Sequence, residues 1–215
     1  MVCLKESPLR IERVCFTDND RMRHLYRLRL KVYGEQCGFF NIDEYPEGEE
    51  RDKYDAQSAH FLIRDGLSRK ILIAARLILP GAHRLPVFDH VPELYRQYAS
   101  CTKACAEISR FVLNKSAYFD YQKRRAAALG GVPTLAVYRE MFSILYAQLY
   151  QRAVESGIQH GFALMEKGLY RLAKLQGFSF APVGETIDVY GPVKPYYLEV
   201  ASLGYLQQYA AAQNN

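Results

Sequence analysis

The stretch of this chain that most constrains its fold runs from Ala106 to Leu113 and reads Ala-Glu-Ile-Ser-Arg-Phe-Val-Leu. Its β-branched and aromatic residues predict a strand, yet strand centres rarely hold charged side chains. Strict alternation would place Glu107 on one face and Arg110 on the other, each among apolar neighbours. Either the two charges lie on opposite faces, or a β-bulge turns one of them. In both cases each charge needs a partner from elsewhere in the fold, because an unpaired charge on an apolar surface costs several kcal/mol.

The size and charge of the chain limit its class. With 215 residues, of which 49% are hydrophobic, residues 1–215 can bury the core of a single domain. Lys and Arg exceed Asp and Glu by 28 − 23 = 5 charges. This excess is too small for a dedicated nucleic-acid binder, although it can attract an acidic protein or a phosphate-bearing ligand.

The cysteines and the lengths of the apolar segments indicate where in the cell the protein is located. The five cysteines are odd in number and include no Cys-x-x-Cys motif, so we interpret them as reduced thiols without a zinc or disulfide role. The chain shows no signal peptide and no segment approaching the roughly 20 apolar residues of a membrane span. We therefore expect a cytoplasmic protein with no integral membrane association.

Hydrophobic periodicity and turn signals predict an α/β chain. Strands are predicted at 11–16, 59–64, 71–79, 106–113, 161–165, 178–183, 186–190 and 195–201, the last two as an antiparallel pair. Helices are predicted at 17–34, 91–98, 134–156 and 167–176, with a long loop at 37–54, a polar loop at 114–133 and a frayed tail at 210–215.

Three arginines occupy positions where the pattern predicts burial. Arg29 lies on the apolar stripe of the first helix, Arg76 lies in a continuously apolar strand, and Arg110 lies in the stretch described above. Snorkelling of Arg29, or separate structural salt bridges, would each explain one of them. Taken together, and with Asp52, Asp55 and Glu107 to neutralise them, they predict one charged cluster lining a cleft. We interpret the rest of the acidic run at 44–52 as solvated surface.

The polar loop at 114–133 contains the basic residues Lys115, Lys123, Arg124 and Arg125. Basic side chains just before a helix are typical of an anion-binding site, because the backbone amides at the start of the helix also attract the anion. The alternative is a mobile surface loop with incidental positive charge.

These motifs resemble the GNAT acyltransferase fold, within the group that contains acyl-homoserine-lactone (autoinducer) synthases and N-acyl amino acid synthases. The matching residues are Arg29, Tyr33 and Phe39, then Asp52 and Asp55, then Ala75-Arg76-Leu77, and last the Glu-x-Ser-Arg-Phe strand at 107–111. The C-terminal half, through segments such as Ala163-Leu164-Met165-Glu166 and Gly177-Phe178, is more similar to N-acyl amino acid synthases and exosortase-associated acyltransferases. The resemblance implies an α/β (α+β) domain whose central mixed, twisted sheet has helices on both faces.

The resemblance also implies an activity. A fatty acyl group would pass from the phosphopantetheine thioester of acyl carrier protein to the amine of an amino acid or similar small acceptor, forming an N-acyl amino acid. Acyl carrier protein is favoured because the glycine-rich pyrophosphate loop of many coenzyme A-dependent relatives is missing. No permanently bound cofactor or metal is expected. Glu107 is the expected catalytic base, directly or through a water, because apolar surroundings raise the pKa of a carboxylate.

Further roles follow from the same resemblance. Arg76 and Arg110, with Asp52 and Asp55, are expected to hold the acceptor and shape the cleft, since the guanidinium group binds carboxylates through two parallel hydrogen bonds. Arg29 is expected to order the loop after the first helix. The expected substrate-binding set is Arg29, Tyr33, Phe39, Asp52, Asp55, Arg76, Ser109, Arg110 and Phe111, and the expected carrier-docking set is Lys115, Lys123, Arg124 and Arg125, whose attraction weakens with salt.

Two other functions are compatible with the sequence. One is an acyl-homoserine-lactone synthase that uses S-adenosylmethionine, although such synthases carry a tryptophan where this chain has Phe39, and the chain contains no Trp. The other is a non-catalytic sensor of acyl ligands on the same fold, which would not need the carboxylate of Glu107.

Overall fold

The structure is a computed structural model that describes residues 9–129, 131 and 134–206. A mixed sheet of eight strands has the order β1-β2-β3-β4-β5-β8-β6, with β7 paired to β8. The strands are β1 Leu9–Val14, β2 Ser58–Asp65, β3 Ile71–Ile78, β4 Cys105–Leu113, β5 His160–Met165, β6 Ala181–Pro182, β7 Ile187–Asp188 and β8 Pro192–Glu199. Neighbouring strands are antiparallel except β4 and β5, which are parallel.

Helices cover both faces of this sheet, as the sequence predicts. They are α1 Asn19–Leu30, α2 Pro86–His90, α3 Pro92–Tyr98, α4 Lys115–Leu129, α5 Thr134–Glu155 and α6 Lys167–Leu175. Helix α1 continues into a wider π-helical segment, Lys31–Gln36, and short 3₁₀ turns occur at Ile42–Glu44, Asp55–Gln57, Ala99–Ala104 and Val200–Leu206. Within the described residues, no helix is long and apolar enough to cross a membrane.

The core divides according to the two faces of the sheet. Alternate residues of β3 point to opposite sides, so Ile73, Ala75 and Leu77 pack in the cluster that contains α5. On the other face Ala74 packs with α1, and Ile78 packs with α2 and α3. Arg76 lies between Ala74 and Ile78 on this second face. The positive charge of its buried guanidinium group therefore needs carboxylate partners on that face.

Strands β4 and β5 pair only over part of their length. The parallel register runs from Cys105 with His160 to Ile108 with Ala163, and beyond it β5 continues beside β8 while β4 continues beside β3. The sheet therefore opens between β4 and β5 immediately after Ile108.

A β-bulge in β4 occurs at the same place. Ser109 of β4 pairs with Arg76 of β3, and Val112 pairs with Ala74. Two residues of β4, Arg110 and Phe111, therefore lie opposite the single residue Ala75 of β3. Arg110 has a φ of 50°, in the left-handed region that non-glycine residues seldom adopt. The opposite-face arrangement expected from strict alternation is thus wrong, and the bulge alternative is confirmed: Arg110 turns toward the face that holds Arg76 and Glu107.

Most predicted elements are present, but four differ. The predicted polar loop at 114–133 is mainly helix α4, because Asn114 accepts the amide of Ala117 at the helix start and Ala117, Tyr118 and Tyr121 form a buried stripe. The predicted strands at 178–183 and 186–190 shorten to Ala181–Pro182 and Ile187–Asp188, and α2 was not predicted. The predicted frayed tail at 210–215 lies outside the described residues.

The strain of the bulge gives a testable prediction. Replacing Arg110 by Ala and by Gly removes the same guanidinium group, but only glycine adopts a positive φ without steric cost. We expect Arg110→Gly to unfold with a free energy about 1 kcal/mol higher than Arg110→Ala in chemical denaturation. Equal stability of the two variants would show that the backbone at this position is not strained.

Candidate active site

Six charged side chains form a closed ring in which arginines and carboxylates alternate. In order around the ring they are Arg29, Asp55, Arg76, Asp52, Arg110 and Glu50, and each contacts both of its neighbours. We call this set the charge ring. Three positive and three negative charges cancel, so the ring as a whole is neutral.

The buried half of the ring is built on α1 and β3. Arg29 donates through Nη1 to Oδ1 of Asp55 at 2.7 Å and through Nε to Oε2 of Glu50. Arg76 donates through Nη1 to Oδ1 of Asp55 at 2.7 Å and to Oδ1 of Asp52 at 2.6 Å. Both arginine side chains are 1% exposed. Arg29 therefore does not snorkel to the solvent, and the prediction of one joint cluster is confirmed.

Arg110 closes the ring on the cleft side. It donates through Nη2 to Oε1 of Glu50 at 2.8 Å and to Oδ2 of Asp52 at 3.0 Å. Its side chain is 26% exposed, the most of the three arginines. The bulge in β4 makes this contact possible, since an unbulged strand would direct Arg110 to the opposite face.

The carboxylates of the ring remain ionised at neutral pH. Burial by itself would raise the pKa of Asp55, but Arg29 and Arg76 outweigh it and hold that pKa well below the usual range. Likewise, burial raises and the neighbouring arginines lower the pKa of Glu50 and of Asp52, with a net decrease for both.

Glu50 is a member of the ring that sequence reasoning missed. Its assignment to the solvated surface was wrong, because the residue is 2% exposed. Glu50 and Asp52 are two positions apart, and this spacing places side chains on the same side of an extended segment, which is the signal that could have found it. Through Glu50, Asp52 and Asp55, the ring anchors the end of the long loop at 37–54 to α1 and the sheet.

Glu107 lies next to the ring but is not part of it. Its Oε2 accepts the amide N–H of Val87 at 2.8 Å, and the residue is 2% exposed. Among the described residues no arginine forms an ion pair with it, so the expectation that Glu107 helps to neutralise the arginines is wrong. Burial raises the pKa of Glu107 to about 7, against the opposing effects of the Val87 amide and Arg76. This carboxyl can therefore take up and release a proton near neutral pH.

A cavity of about 980 Å³ occupies the opening between β4 and β5. Eight of the ten predicted catalytic and substrate-binding residues line it: Tyr33, Phe39, Asp52, Arg76, Glu107, Ser109, Arg110 and Phe111. The other two, Arg29 and Asp55, lie behind the wall in the charge ring. Ser109 accepts a hydrogen bond from Nε of Arg76 at 3.0 Å, which ties the cavity wall to the ring.

Aromatic side chains from the segment after α1 border the cavity. Tyr33 donates its hydroxyl to the carbonyl oxygen of Phe111 at 2.9 Å and stacks on Phe39 with 5.9 Å between ring centroids. Phe40 meets Tyr190 of the β7–β8 turn at 5.9 Å, edge to face. The long loop and the turn therefore meet above the cavity.

The predicted docking residues do not line this cavity. Arg124 pairs with Asp65, and Arg125 pairs with Glu140, so part of their charge is already compensated. Lys115 and Lys123 are exposed on α4. Besides Arg76 and Arg110, the cavity is lined by three further basic residues that sequence reasoning did not single out, Lys167, Arg171 and Lys194. Within the described residues, no group of His, Cys, Asp and Glu side chains is arranged to hold a metal ion.

The comparisons with known proteins agree with this architecture. Residues 28–130 match the family model of the acetyltransferase (GNAT) domain. No curated protein matches the sequence significantly.

Three solved structures illustrate the similarity in fold. TofI, in a ternary complex with an inhibitor and MTA, is 18% identical with a TM-score of 0.66, over 90% of this chain and 92% of that one. BjaI, a CoA-dependent acyl-homoserine lactone synthase with SAM and isopentyl-CoA, is 19% identical with a TM-score of 0.62, over 94% and 90%. FeeM, an N-acyl amino acid synthase from uncultured soil microbes, is 16% identical with a TM-score of 0.61, over 94% and 97%.

Two adjacent glutamates allow a matched test of the charge ring. Glu50→Gln leaves buried Arg29 without one of its two carboxylate partners, so we expect it to lower the free energy of unfolding by roughly 3–5 kcal/mol. Among the described residues, Glu49→Gln breaks ion pairs only to Arg23, Arg27 and Arg51, whose side chains are 61%, 60% and 51% exposed, and we expect a loss of about 1 kcal/mol or less. Denaturant unfolding of both variants measures the difference, and similar losses would contradict the ring's structural role.

Proposed function

We propose, since residues 28–130 match the GNAT acetyltransferase family model, that this chain transfers a fatty acyl group from a phosphopantetheine thioester to the amine of an amino acid or similar small acceptor. The observation that carries the proposal is the position of Glu107, a buried carboxyl with a pKa of about 7 in the wall of a large cavity. Amide formation from an ammonium group needs a base of this kind, because the optimal pKa of a general base lies near the working pH.

The proposed chemistry assigns the proton to Glu107. Its carboxylate accepts a proton from the acceptor's ammonium group, directly or through a water. The free amine then attacks the thioester carbonyl, the tetrahedral intermediate collapses to the amide, and the pantetheine sulfur leaves as a thiol after it takes up the second proton that the nitrogen loses. The hydrogen bond from the Val87 amide orients the carboxylate, which leaves its second oxygen for the proton.

Arg110 is the best candidate for holding the carboxylate of an amino-acid acceptor. It lines the cavity, its side chain is 26% exposed, and its Nη1 has no hydrogen-bond partner among the described residues. Arg76 was expected to share this role. However, it already donates through Nε, Nη1 and Nη2 to Ser109, Asp52 and Asp55, so its proposed role is to brace Arg110 through Asp52.

The donor in this proposal is acyl carrier protein. Lys167, Arg171 and Lys194 line the cavity and can contact the phosphate that joins pantetheine to its carrier. Exposed Lys115 and Lys123 on α4 would add attraction to an acidic carrier surface. The apolar part of the cavity, which includes Ile108, Phe111, Ala163 and Met165, can take the acyl chain.

A second candidate is the synthesis of an acyl-homoserine lactone from S-adenosylmethionine. It is favoured by the fold that the chain shares with BjaI, whose structure contains SAM, and it uses the same base and the same donor chemistry. The acceptor differs, and after acylation its own carboxylate would have to displace methylthioadenosine to close the lactone ring. The non-catalytic sensor is less well supported, since binding an acyl ligand does not require a buried carboxyl that titrates near neutral pH.

One experiment separates these functions. The purified protein is incubated with acyl carrier protein or coenzyme A thioesters and, in separate reactions, with each amino acid and with S-adenosylmethionine, and products are identified by mass. We expect an N-acyl amino acid. A lactone released together with methylthioadenosine would favour the second candidate. No product from any donor and acceptor pair would overturn the proposal and leave the sensor.

The role of Glu107 has its own test. Glu107→Gln keeps an oxygen that can accept the Val87 amide, but the side chain can no longer accept a proton. We expect kcat to fall by roughly a hundredfold to ten-thousandfold. In the unaltered protein, kcat/KM should rise with pH through about 7, because the base must be ionised, and this rise should disappear in the variant. An unchanged free energy of unfolding serves as the control, and full activity of the variant would refute the base assignment.

A further inference from the structure

A second cleft lies on the other side of the charge ring from the cavity. It is lined by one side of α1 and by residues 49–53, its volume is about 550 Å³, and we call it the outer cleft. Arg76 and Arg110 line only the cavity, whereas Asp55 lines only the outer cleft. Asp52 lines both. The charge ring therefore forms a shared wall between the two spaces, and the proposed acyl transfer uses only one of them.

Helix α1 supplies the apolar surface of the outer cleft. Asn19, Met22, Arg23 and Tyr26 lie three or four positions apart, so they share one side of the helix, and all four line the cleft. Met22 and Tyr26 are almost fully buried, while the ring of Phe16 is 42% exposed. A ligand with a planar ring can pack on these aromatic side chains. The volume lies within the range of small-molecule sites, roughly 300–1,000 Å³.

Two arginines of the outer cleft share one carboxylate. Nε of Arg23 lies 3.9 Å from Oε1 of Glu49, and Nη2 of Arg51 lies 3.1 Å from its Oε2. Both arginine side chains are more than half exposed, at 61% and 51%. Outside the cleft, Arg27 also pairs with Glu49, and Glu47 pairs with Arg51, so these two residues add no net charge. Inside the cleft, one carboxylate therefore faces two guanidinium groups.

Lys53 adds a third positive charge to the outer cleft. No carboxylate among the described residues forms an ion pair with it, and its ammonium group lies 5.1 Å from the centroid of the Tyr54 ring. The aspartates in the cleft wall, Asp52 and Asp55, are already matched by the arginines of the charge ring. The outer cleft thus has an excess of two positive charges. Exposed guanidinium and ammonium groups in such a site favour a phosphate-bearing ligand.

The charge ring holds these basic side chains in place. Along residues 49–53, side chains alternate between two directions, as in an extended chain. Positions 50 and 52 contribute their carboxylates to the charge ring, whereas positions 49, 51 and 53 line the outer cleft. Because the ring anchors Glu50 and Asp52, the backbone that carries Arg51 and Lys53 is also fixed. The outer cleft is therefore a preorganised site, in which less entropy is lost on binding than among mobile surface charges.

We propose that the outer cleft binds a phosphate-bearing ligand with a planar ring, of the nucleotide class. Its phosphate groups lie among Arg23, Arg51 and Lys53, and its ring packs against Phe16 and Tyr26. The proposal goes beyond the acyl transfer assigned to the cavity and does not rest on it, since the two spaces lie on opposite sides of the charge ring.

Calorimetry with nucleoside diphosphates tests the site. GDP and UDP are the probes, because an adenosine phosphate resembles part of S-adenosylmethionine, a candidate acceptor for the cavity. We expect at least one of them to bind, with a Kd that rises with salt concentration. The uncharged nucleoside and pyrophosphate, each lacking one half of the ligand, should each bind at least about tenfold more weakly.

Two arginines of α1 provide matched variants. Arg23 and Arg27 both pair with Glu49 and are 61% and 60% exposed, but only Arg23 lines the outer cleft. We expect Arg23→Gln to raise the Kd of the diphosphate about tenfold or more, because a hydrogen bond to a charged group is lost. Lys53→Gln should raise it in the same direction. Arg27→Gln should leave Kd within about twofold, because its charge is screened at physiological salt.

The outcomes decide the proposal without an activity assay. If neither diphosphate binds, or if Arg23→Gln and Lys53→Gln leave Kd unchanged, the outer cleft is not the binding site. Equal effects of Arg23→Gln and Arg27→Gln would indicate a general attraction to the basic surface and would likewise overturn the proposal. Pyrophosphate that binds as tightly as both diphosphates would contradict the planar ring. The free energy of unfolding of each variant, measured without ligand, controls for damage to the fold.

Discussion

The charge ring is the interaction on which the rest of the site depends. Taking six charged groups out of water carries a large desolvation cost, which is offset only when every charge has close partners of opposite sign. Here each arginine lies between two carboxylates and each carboxylate lies between two arginines. The ring joins α1, β3, β4 and the loop that ends at Asp55. It therefore holds the long loop against the sheet and fixes one wall of the cavity.

The bulge in β4 links this ring to the opening of the sheet. Without the bulge, Arg110 would face α5 and the ring would lack its third arginine. With the bulge, the strand changes direction where β5 diverges, and the cavity forms in the space between the two strands. Glu107 lies before the bulge and has no ion-pair partner among the described residues, so burial raises its pKa to about 7, while the pKa values of the ring carboxylates are lowered. Two opposite electrostatic environments thus lie side by side: one anchors the loop and the other can perform acid–base chemistry.

Several features of the site could be predicted because they depend on local patterns. Arg29 and Arg76 occupy apolar stripes at helical and strand spacing, which indicates burial, and a buried arginine requires a carboxylate. Glu50 could not be separated from its acidic neighbours by composition, because the burial of Glu50 and the exposure of Glu47 depend on the path of an irregular loop. Helix α4 was mistaken for a loop because most of its residues are polar and its buried stripe is short.

The sequence by itself determined that Arg29, Arg76 and Glu107 carry charge into the core, which strand is central and which faces of the helices are apolar, because these follow from the periodicity of side chains. Only the tertiary structure decided how the charges pair. Glu107 was expected to neutralise an arginine but lies outside the ring, and Arg110 reaches the ring only through a bulge. The physical reason is that pairing depends on the relative register of β3 and β4 and on the closure of a distant loop, neither of which leaves a periodic signal along the chain.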